Sequence, residues 1–211
     1  MLTNKTMASL RWVQQFCPDA RFILKTDDDG FNVPQRFVDY LLGVDGDWRF
    51  LGGYCFTVMP DRRDSSKFYV PRSAYPDRYY PTYCSGPGYV MSRRTAASIL
   101  SVSKDVSFLP MEDVFVTGAC RVAAGISYTQ IVGVVEDHGQ MTRCGLATWV
   151  KNGHNVYPQA ASVLWSRVVD ADSSRDCTAR NGLLAFELLI FVGVWLRHLY
   201  LVVRLGFHRH V

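Results

Sequence analysis

Apolar positions recur along this chain with two different periods. Met7, Leu10, Val13 and Phe16 are spaced as on one face of a helix, so an amphipathic helix opens the chain and ends near Cys17-Pro18. Arg21-Phe22-Ile23-Leu24-Lys25 is a short apolar run after a proline turn and reads as a strand. A second helix is expected over 35–42, with Phe37, Val38, Leu41 and Leu42 apolar, then a strand over 49–56. Tyr89-Val90-Met91 reads as a further strand, followed by helices over 93–102 and from Met111 to Val122. A strand over 128–135 and a helix over 158–168 complete the pattern; Ala161, Leu164, Trp165 and Val168 share one face of that helix. Residues 60–83 are a Pro-, Tyr- and Arg-rich connection. Strands alternating with helices predict an α/β fold without internal repeats.

The last stretch breaks the alternation. Residues 183–203 are largely apolar and long enough to span a bilayer. Glu187, Arg197 and His198 are costly inside one, so a membrane segment and a packed helix both remain open. We therefore separate a domain over 1–177 from an apolar tail over 178–211. The opening directly inside a helix suggests a truncated chain.

Composition changes this picture little. Hydrophobic residues make up 48% and charged residues 20%, as in an ordinary globular domain. The net charge of +4 has no Lys/Arg block behind it, which argues against a nucleic-acid partner. Six cysteines, at 17, 55, 84, 120, 144 and 177, lack the C-x-x-C spacing of a zinc site. Their dispersal fits disulfides in a lumenal or secreted domain, and equally buried thiols in a reducing compartment. Asn4-Lys5-Thr6 is an N-glycosylation triplet of a kind common by chance.

Four features carry candidate chemistry. Asp27-Asp28-Asp29 ends the first strand. Adjacent carboxylates repel, and a hard divalent cation such as Mn²⁺ or Mg²⁺ relieves this. In extended chain, Asp27 and Asp29 face one side. The bland alternative is a solvated turn. A calcium loop is excluded, because Phe31, Asn32 and Val38 stand where a ligand, a glycine and a glutamate are required. Glu112-Asp113 opens a helix and offers either a general base or a favourable N-terminal charge. In Cys84-Ser85-Gly86-Pro87-Gly88-Tyr89, two glycines form a turn that lets backbone approach a ligand. Tyr79, Tyr80, Tyr83 and Tyr89 could stack on sugar faces or simply pack. His154, in a polar loop, is either solvated or an imidazole partner to the carboxylates.

The order of these motifs is more specific than any one of them. K-T-D-D-D, then F-Y-V-P with Y-P-T-Y-C-S-G-P-G-Y-V-M-S, then E-D-V-F-V-T-G-A-C, resembles the β1,3-galactosyltransferase and β1,3-N-acetylglucosaminyltransferase family, glycosyltransferase family 31, over residues 2–177. The resemblance implies a GT-A-type, Rossmann-like fold, here missing its first strands, that binds a UDP-sugar and Mn²⁺ (or Mg²⁺). Carried over residue by residue, Asp29 and His154 become metal ligands, and Asp27 or Asp28 contacts the donor. Ser85, Gly86, Gly88 and Glu112 line the donor site, and Asp113 is the base.

The implied reaction is inverting transfer of a hexose in β1,3 linkage to a glycan on a glycoprotein or glycolipid, with galactose favoured and UDP-N-acetylglucosamine as the alternative donor. The implied location is the Golgi membrane, with the catalytic domain lumenal. The competing reading is an inactive fragment or a membrane-tethered sugar-binding protein. Bridges Cys120–Cys144 and Cys17–Cys84 are expected on the same basis. Two departures from the family pattern stand out. Gly30 and the transposed Asn32-Val33 are expected to loosen the loop after the acidic run, and Pro87 replaces a Gly or Thr.

Overall fold

The computed structural model describes residues 2–45, 48–134 and 141–169. The boundary at 177, Cys177 and the apolar segment 183–203 lie outside the described residues. Among the described residues, no helix is long and apolar enough to cross a membrane.

The architecture is mixed α/β. Helix α1 (Leu2–Phe16) buries Thr3, Thr6, Met7 and Leu10. Thr3 Oγ1 donates to the carbonyls of Leu109 and Pro110, at 3.1 and 3.0 Å. Burial stops after Leu10, so the expected stripe is shorter than the helix. Phe16 is 57% exposed and packs against Trp12, at 5.6 Å between ring centroids.

Strands β1 (Phe22–Thr26) and β2 (Phe31–Asn32) flank the acidic run. Helix α2 (Pro34–Leu41) follows, with proline in its first turn, where no N–H is needed. Then come β3 (Leu51–Phe56), β4 (Tyr83–Ser92) and α3 (Arg93–Val102). Ser92 caps α3 by accepting from Thr95 N at 3.2 Å. A π-helix (Val114–Cys120) runs into the short α4 (Arg121–Ala123). Strand β5 (Thr129–Gln130), α5 (Arg143–Thr148), β6 (Asn152–Gly153) and α6 (Pro158–Val169) complete the described chain.

The main sheet has the order β1-β4-β3-β5. β4 pairs antiparallel with β1 and β3, and β3 pairs parallel with β5. β2 and β6 form a separate antiparallel pair. Alternation along β4 sends Tyr89 and Met91 to the core shared with α1, α3 and the π-helix. Val90 points to the opposite face, with Phe37, Phe50 and Ile131. A third cluster, around Phe31, Leu146 and Val150, packs α6 through Ala161, Leu164 and Val168.

Two elements differ from expectation. The strand expected over 128–135 is only Thr129–Gln130, with its last residue outside the described set. Gly133, at φ 94°, turns the chain; a Cβ there would lie 2.2 Å from Trp149 O. The glycine-rich turn at 85–88 is instead part of β4, which runs ten residues. Along β3 the register jumps from Gly53↔Tyr89 to Cys55↔Cys84. One residue of β3 thus faces Ser85–Gly88, which bulge away from it. Pro87 sits in the bulge, where its missing N–H removes no ladder bond.

The cysteine pairings also differ. Cys55 and Cys84 face each other across β3 and β4 and form a disulfide. Cys17 and Cys120 are free thiols, so neither Cys17–Cys84 nor Cys120–Cys144 exists. Cys144 is disulfide-bonded, but not to Cys120. Strand register decided this, because it alone brings Cys55 opposite Cys84.

Candidate active site

β1 delivers Lys25 and then the acidic run to one end of the sheet. Lys25 Nζ is the cationic centre of the site. It donates to Asp27 Oδ1 at 2.5 Å and to Gly86 O at 2.7 Å, and lies 3.4 Å from Glu112 Oε2. Asp27 and Asp29 turn to one side with His154, and one ligand atom of each lies within 4.8 Å of the others. His154 Nε2 stands 3.3 Å from Asp29 Oδ2. Asp28 is exposed and belongs neither to this group nor to the adjoining cleft. A turn makes that separation: β1 ends at Thr26, Asp28 and Asp29 lie in the turn, and Gly30 N donates to Asp27 O at 3.1 Å.

His154 lies 127 residues after Asp27 and 125 after Asp29 in sequence; β2 and β6 bring it to them. Phe31 pairs with Gly153, one residue before it. Asn155 then takes φ 58°, a conformation asparagine tolerates, and the turned chain lets Val156 N donate to Asp29 O at 2.8 Å. Asn152 Nδ2 donates to Asn32 Oδ1 at 2.8 Å and to Pro87 O at 3.2 Å. Asn32 Nδ2 in turn donates to Thr26 Oγ1 at 3.0 Å. This amide network ties the strand pair to β1 and β4. The departure at residues 30–33 therefore tightens the loop instead of loosening it. Gly30 has no room for a side chain, since a Cβ would lie 2.5 Å from Thr26 Oγ1 and 2.9 Å from Asp27 O.

Glu112 and Asp113 face the same cleft from the start of the π-helix. Glu112 is buried and accepts from the Tyr89 hydroxyl at 2.6 Å. Asp113 Oδ2 accepts from Gly86 N at 3.1 Å and Oδ1 from Val114 N at 2.9 Å. Thr117 Oγ1 donates to Asp113 O at 2.7 Å and accepts from Cys84 N at 2.8 Å, locking the π-helix to β4. Burial pushes both carboxyls above their ordinary pKa. For Glu112, Lys25 opposes that shift most; for Asp113, the backbone N–H donors do.

Ser85, Gly86 and Pro87 line the cleft, which measures about 570 Å³ and also takes in Lys25, Asp27 and His154. Gly88 does not line it. It lies against Asn152, and a Cβ there would come within 2.6 Å of Asn152 Oδ1. Of the four tyrosines, Tyr89 is buried beneath the site and Tyr79 is exposed; Tyr80 and Tyr83 line the cleft from an aromatic cluster with Tyr75 and Phe56.

The galactosyltransferase family profile matches residues 1–132. This chain belongs to that family. Within it, the chain is 42% identical over 120 residues to β-1,3-galactosyltransferase 5 of Homo sapiens, covering 56% of this chain and 38% of that protein. It is 35% identical over 169 residues to β-1,3-galactosyltransferase 1 of Mus musculus, covering 78% and 51%. It is 30% identical over 228 residues to β-1,3-galactosyltransferase 4 of Rattus norvegicus, covering 92% and 61%. The chain thus spans between about two-fifths and three-fifths of these relatives' lengths. In this galactosyltransferase-family chain, the acidic run, the β4 bulge and Glu112-Asp113 fall inside the profile match, and His154 falls after it.

Sequence reasoning passed over Lys25, Thr117 and Asn152. Lys25 carried a usable signal, since it lies two residues before Asp27 on the same strand face. Thr117 and Asn152 carried none, because their roles depend on which strands they meet.

Proposed function

We propose that this chain is the catalytic module of an inverting, divalent-metal-dependent galactosyltransferase of GT-A type. It moves galactose from UDP-galactose to a sugar hydroxyl in β1,3 linkage. The observation that carries this reading is the Asp113 carboxylate, held by two backbone N–H groups in the same cleft as Asp27 and His154. The names of the three relatives support the reaction and the sugar.

Two carboxylates and one imidazole form a donor set suited to Mn²⁺, with Asp29 and His154 as the principal ligands. An ion bound there would offset the charge of the donor's diphosphate. Lys25 holds Asp27 toward that group and, through Gly86 O, fixes the bulge. Asp113 accepts the proton of the acceptor hydroxyl, and its raised pKa makes it a stronger base than an exposed aspartate. The acceptor oxygen forms the new bond to the anomeric carbon from the face opposite UDP. UDP leaves with the electron pair of the broken bond, and configuration inverts. A single carboxylate serves, in contrast to the paired carboxylates of glycoside hydrolysis. The proposal also puts the domain on the lumenal side of the Golgi membrane. The Cys55–Cys84 disulfide supports an oxidising compartment.

The test is UDP release with Mn²⁺, UDP-galactose and simple β-linked acceptors, repeated with UDP-N-acetylglucosamine. We expect Asp113→Ala to lower kcat by about 10²-fold or more. We expect Asp29→Ala to abolish the response to Mn²⁺. Equal turnover in wild type and both variants would overturn the assignment.

A further inference from the structure

Tyr89, Glu112 and Lys25 form a charged unit behind the cleft, and the reaction described above uses only its outer end. Lys25 Nζ stands over the Tyr89 ring, 5.9 Å from its centroid, within the reach of a cation–π contact. The Tyr89 hydroxyl donates to Glu112 Oε1 at 2.6 Å, and Glu112 Oε2 lies 3.4 Å from Lys25 Nζ. Each member thus touches the other two. Tyr89 is 1% exposed, and burial followed by the Glu112 charge raises its pKa well above the ordinary phenol value. The phenol therefore keeps its proton and remains a donor to Glu112.

Neither charged member is free to bind a donor. The Glu112 side chain is 2% exposed, so a molecule in the cleft does not reach its carboxylate. An ammonium has three protons, and Lys25 faces three acceptors: Asp27 Oδ1, Gly86 O and Glu112 Oε2. What Lys25 holds instead are the two ends of the site. Asp27 belongs to the group suited to a metal. Gly86 receives Lys25 at its carbonyl and gives its N–H to Asp113 Oδ2. A Cβ on Gly86 would lie 3.5 Å from Asp113 Oδ2 and from Lys25 Nζ, and 3.7 Å from Glu112 Oε2, so one glycine rests against all three charged groups.

We propose that Glu112 is a positioning residue that acts through Lys25: with Tyr89 behind it, Glu112 fixes the ammonium that orients Asp27 for the metal and Gly86 for the base. This rests on the transferase reading above, and it gives Glu112 a different role from the donor lining that the resemblance implies. Charge counting and positioning predict opposite signs at Lys25. By charge alone, removing a cation beside a metal site strengthens metal binding. Removing the group that orients a metal-binding carboxylate weakens it.

The test uses the full chain with Glu112→Gln, Lys25→Met, the two combined, and Tyr89→Phe. Isothermal titration reads Mn²⁺ affinity without donor. UDP release reads kcat and the UDP-galactose KM at saturating Mn²⁺, and melting temperatures check that each variant is folded. Glu112→Gln and Lys25→Met should each weaken Mn²⁺ binding and lower kcat by about tenfold, with the UDP-galactose KM unchanged. The combined variant should show the same loss of about tenfold and not the product of the two, because members of one unit do not add. It leaves neither charge buried alone, so it replaces Lys25→Met in the comparison should that variant fail to fold. Tyr89→Phe should weaken Mn²⁺ binding by about threefold, the share of one hydrogen bond; unchanged affinity there would remove Tyr89 from the unit. Tighter Mn²⁺ binding in Lys25→Met, losses that multiply in the combined variant, or a raised UDP-galactose KM with intact Mn²⁺ affinity in Glu112→Gln would each overturn the proposal. A wild type that binds Mn²⁺ but turns over no donor counts against the transferase reading alone, and the titrations still decide the positioning. A wild type that binds no Mn²⁺ overturns both.

Discussion

At Asp113, burial and hydrogen bonding pull in opposite directions. Burial disfavours the carboxylate, while Gly86 N, Val114 N and Lys25 favour it, and the net shift is upward. The acid limb of kcat/KM should therefore lie above the ordinary aspartate range, which a pH–rate profile measures directly. The same shift enters stability. Glu112 and Asp113 both have folded pKa values above their unfolded ones, so the folded state holds more protons between the two. Their contribution is complete below the ordinary carboxylate pKa and is lost as pH rises through the folded values. Urea unfolding across that window should show stability falling with pH, and Glu112→Gln with Asp113→Asn should flatten the fall. Asp61 shifts the other way, drawn down by Arg63, and so acts below this window. At this scale strand alternation anticipated that Asp27 and Asp29 share a side, but a turn after Thr26, and not extended strand, brings them together. It did not reveal that Lys25 stands between Asp27 and Glu112, because that contact depends on the approach of the π-helix to β4.

Among the elements, β4 does most to build the site. Its bulge turns Gly86 toward Lys25 and Asp113 on one side and rests Gly88 on Asn152 on the other. Asn152 is fully buried and fixed by two hydrogen bonds, so it cannot yield to a methyl group. Gly88→Ala should cost about 1–3 kcal/mol in denaturant unfolding, as overpacking does. It should also weaken Mn²⁺ binding, because Asn152 positions the strand that precedes His154. Isothermal titration with Mn²⁺ would check this; unchanged affinity would show that β6 does not depend on that contact. Helix α3 was legible from the sequence over the residues that form it, Arg93–Val102, because its signals are local. The extent of β4 was not legible. Two glycines and a proline look like a turn, and only pairing to β1 and β3 reveals a bulged strand.

Across the whole molecule, the disulfide and the amide network hold remote segments in place. Cys55–Cys84 closes the connection between β3 and β4 that brings Tyr80 to the cleft, a separation of 29 residues. In a chain-entropy account, closing such a loop contributes about 3 kcal/mol. The Cys55→Ala, Cys84→Ala double variant should lose roughly that amount in urea unfolding, and reductant should lower the wild type toward it. A double variant as stable as wild type would mean that hydrogen bonds within the connection, from the Arg62 guanidinium to the carbonyls of Val70, Tyr75 and Asp77 and from Tyr80 N to Val58 O, order it without the disulfide.

By itself, the sequence determined the alternating α/β elements, the family, and the residue types that converge on the cleft. Those follow from local periodicity and from motif chemistry carried by neighbouring residues. Tertiary structure decided which cysteines pair, that Gly30 tightens its loop, that Gly88 is packing and not lining, and that His154 reaches Asp29. Each of these depends on strand register or on contacts between residues far apart in the chain, where a shift of one residue exchanges the two faces of a strand.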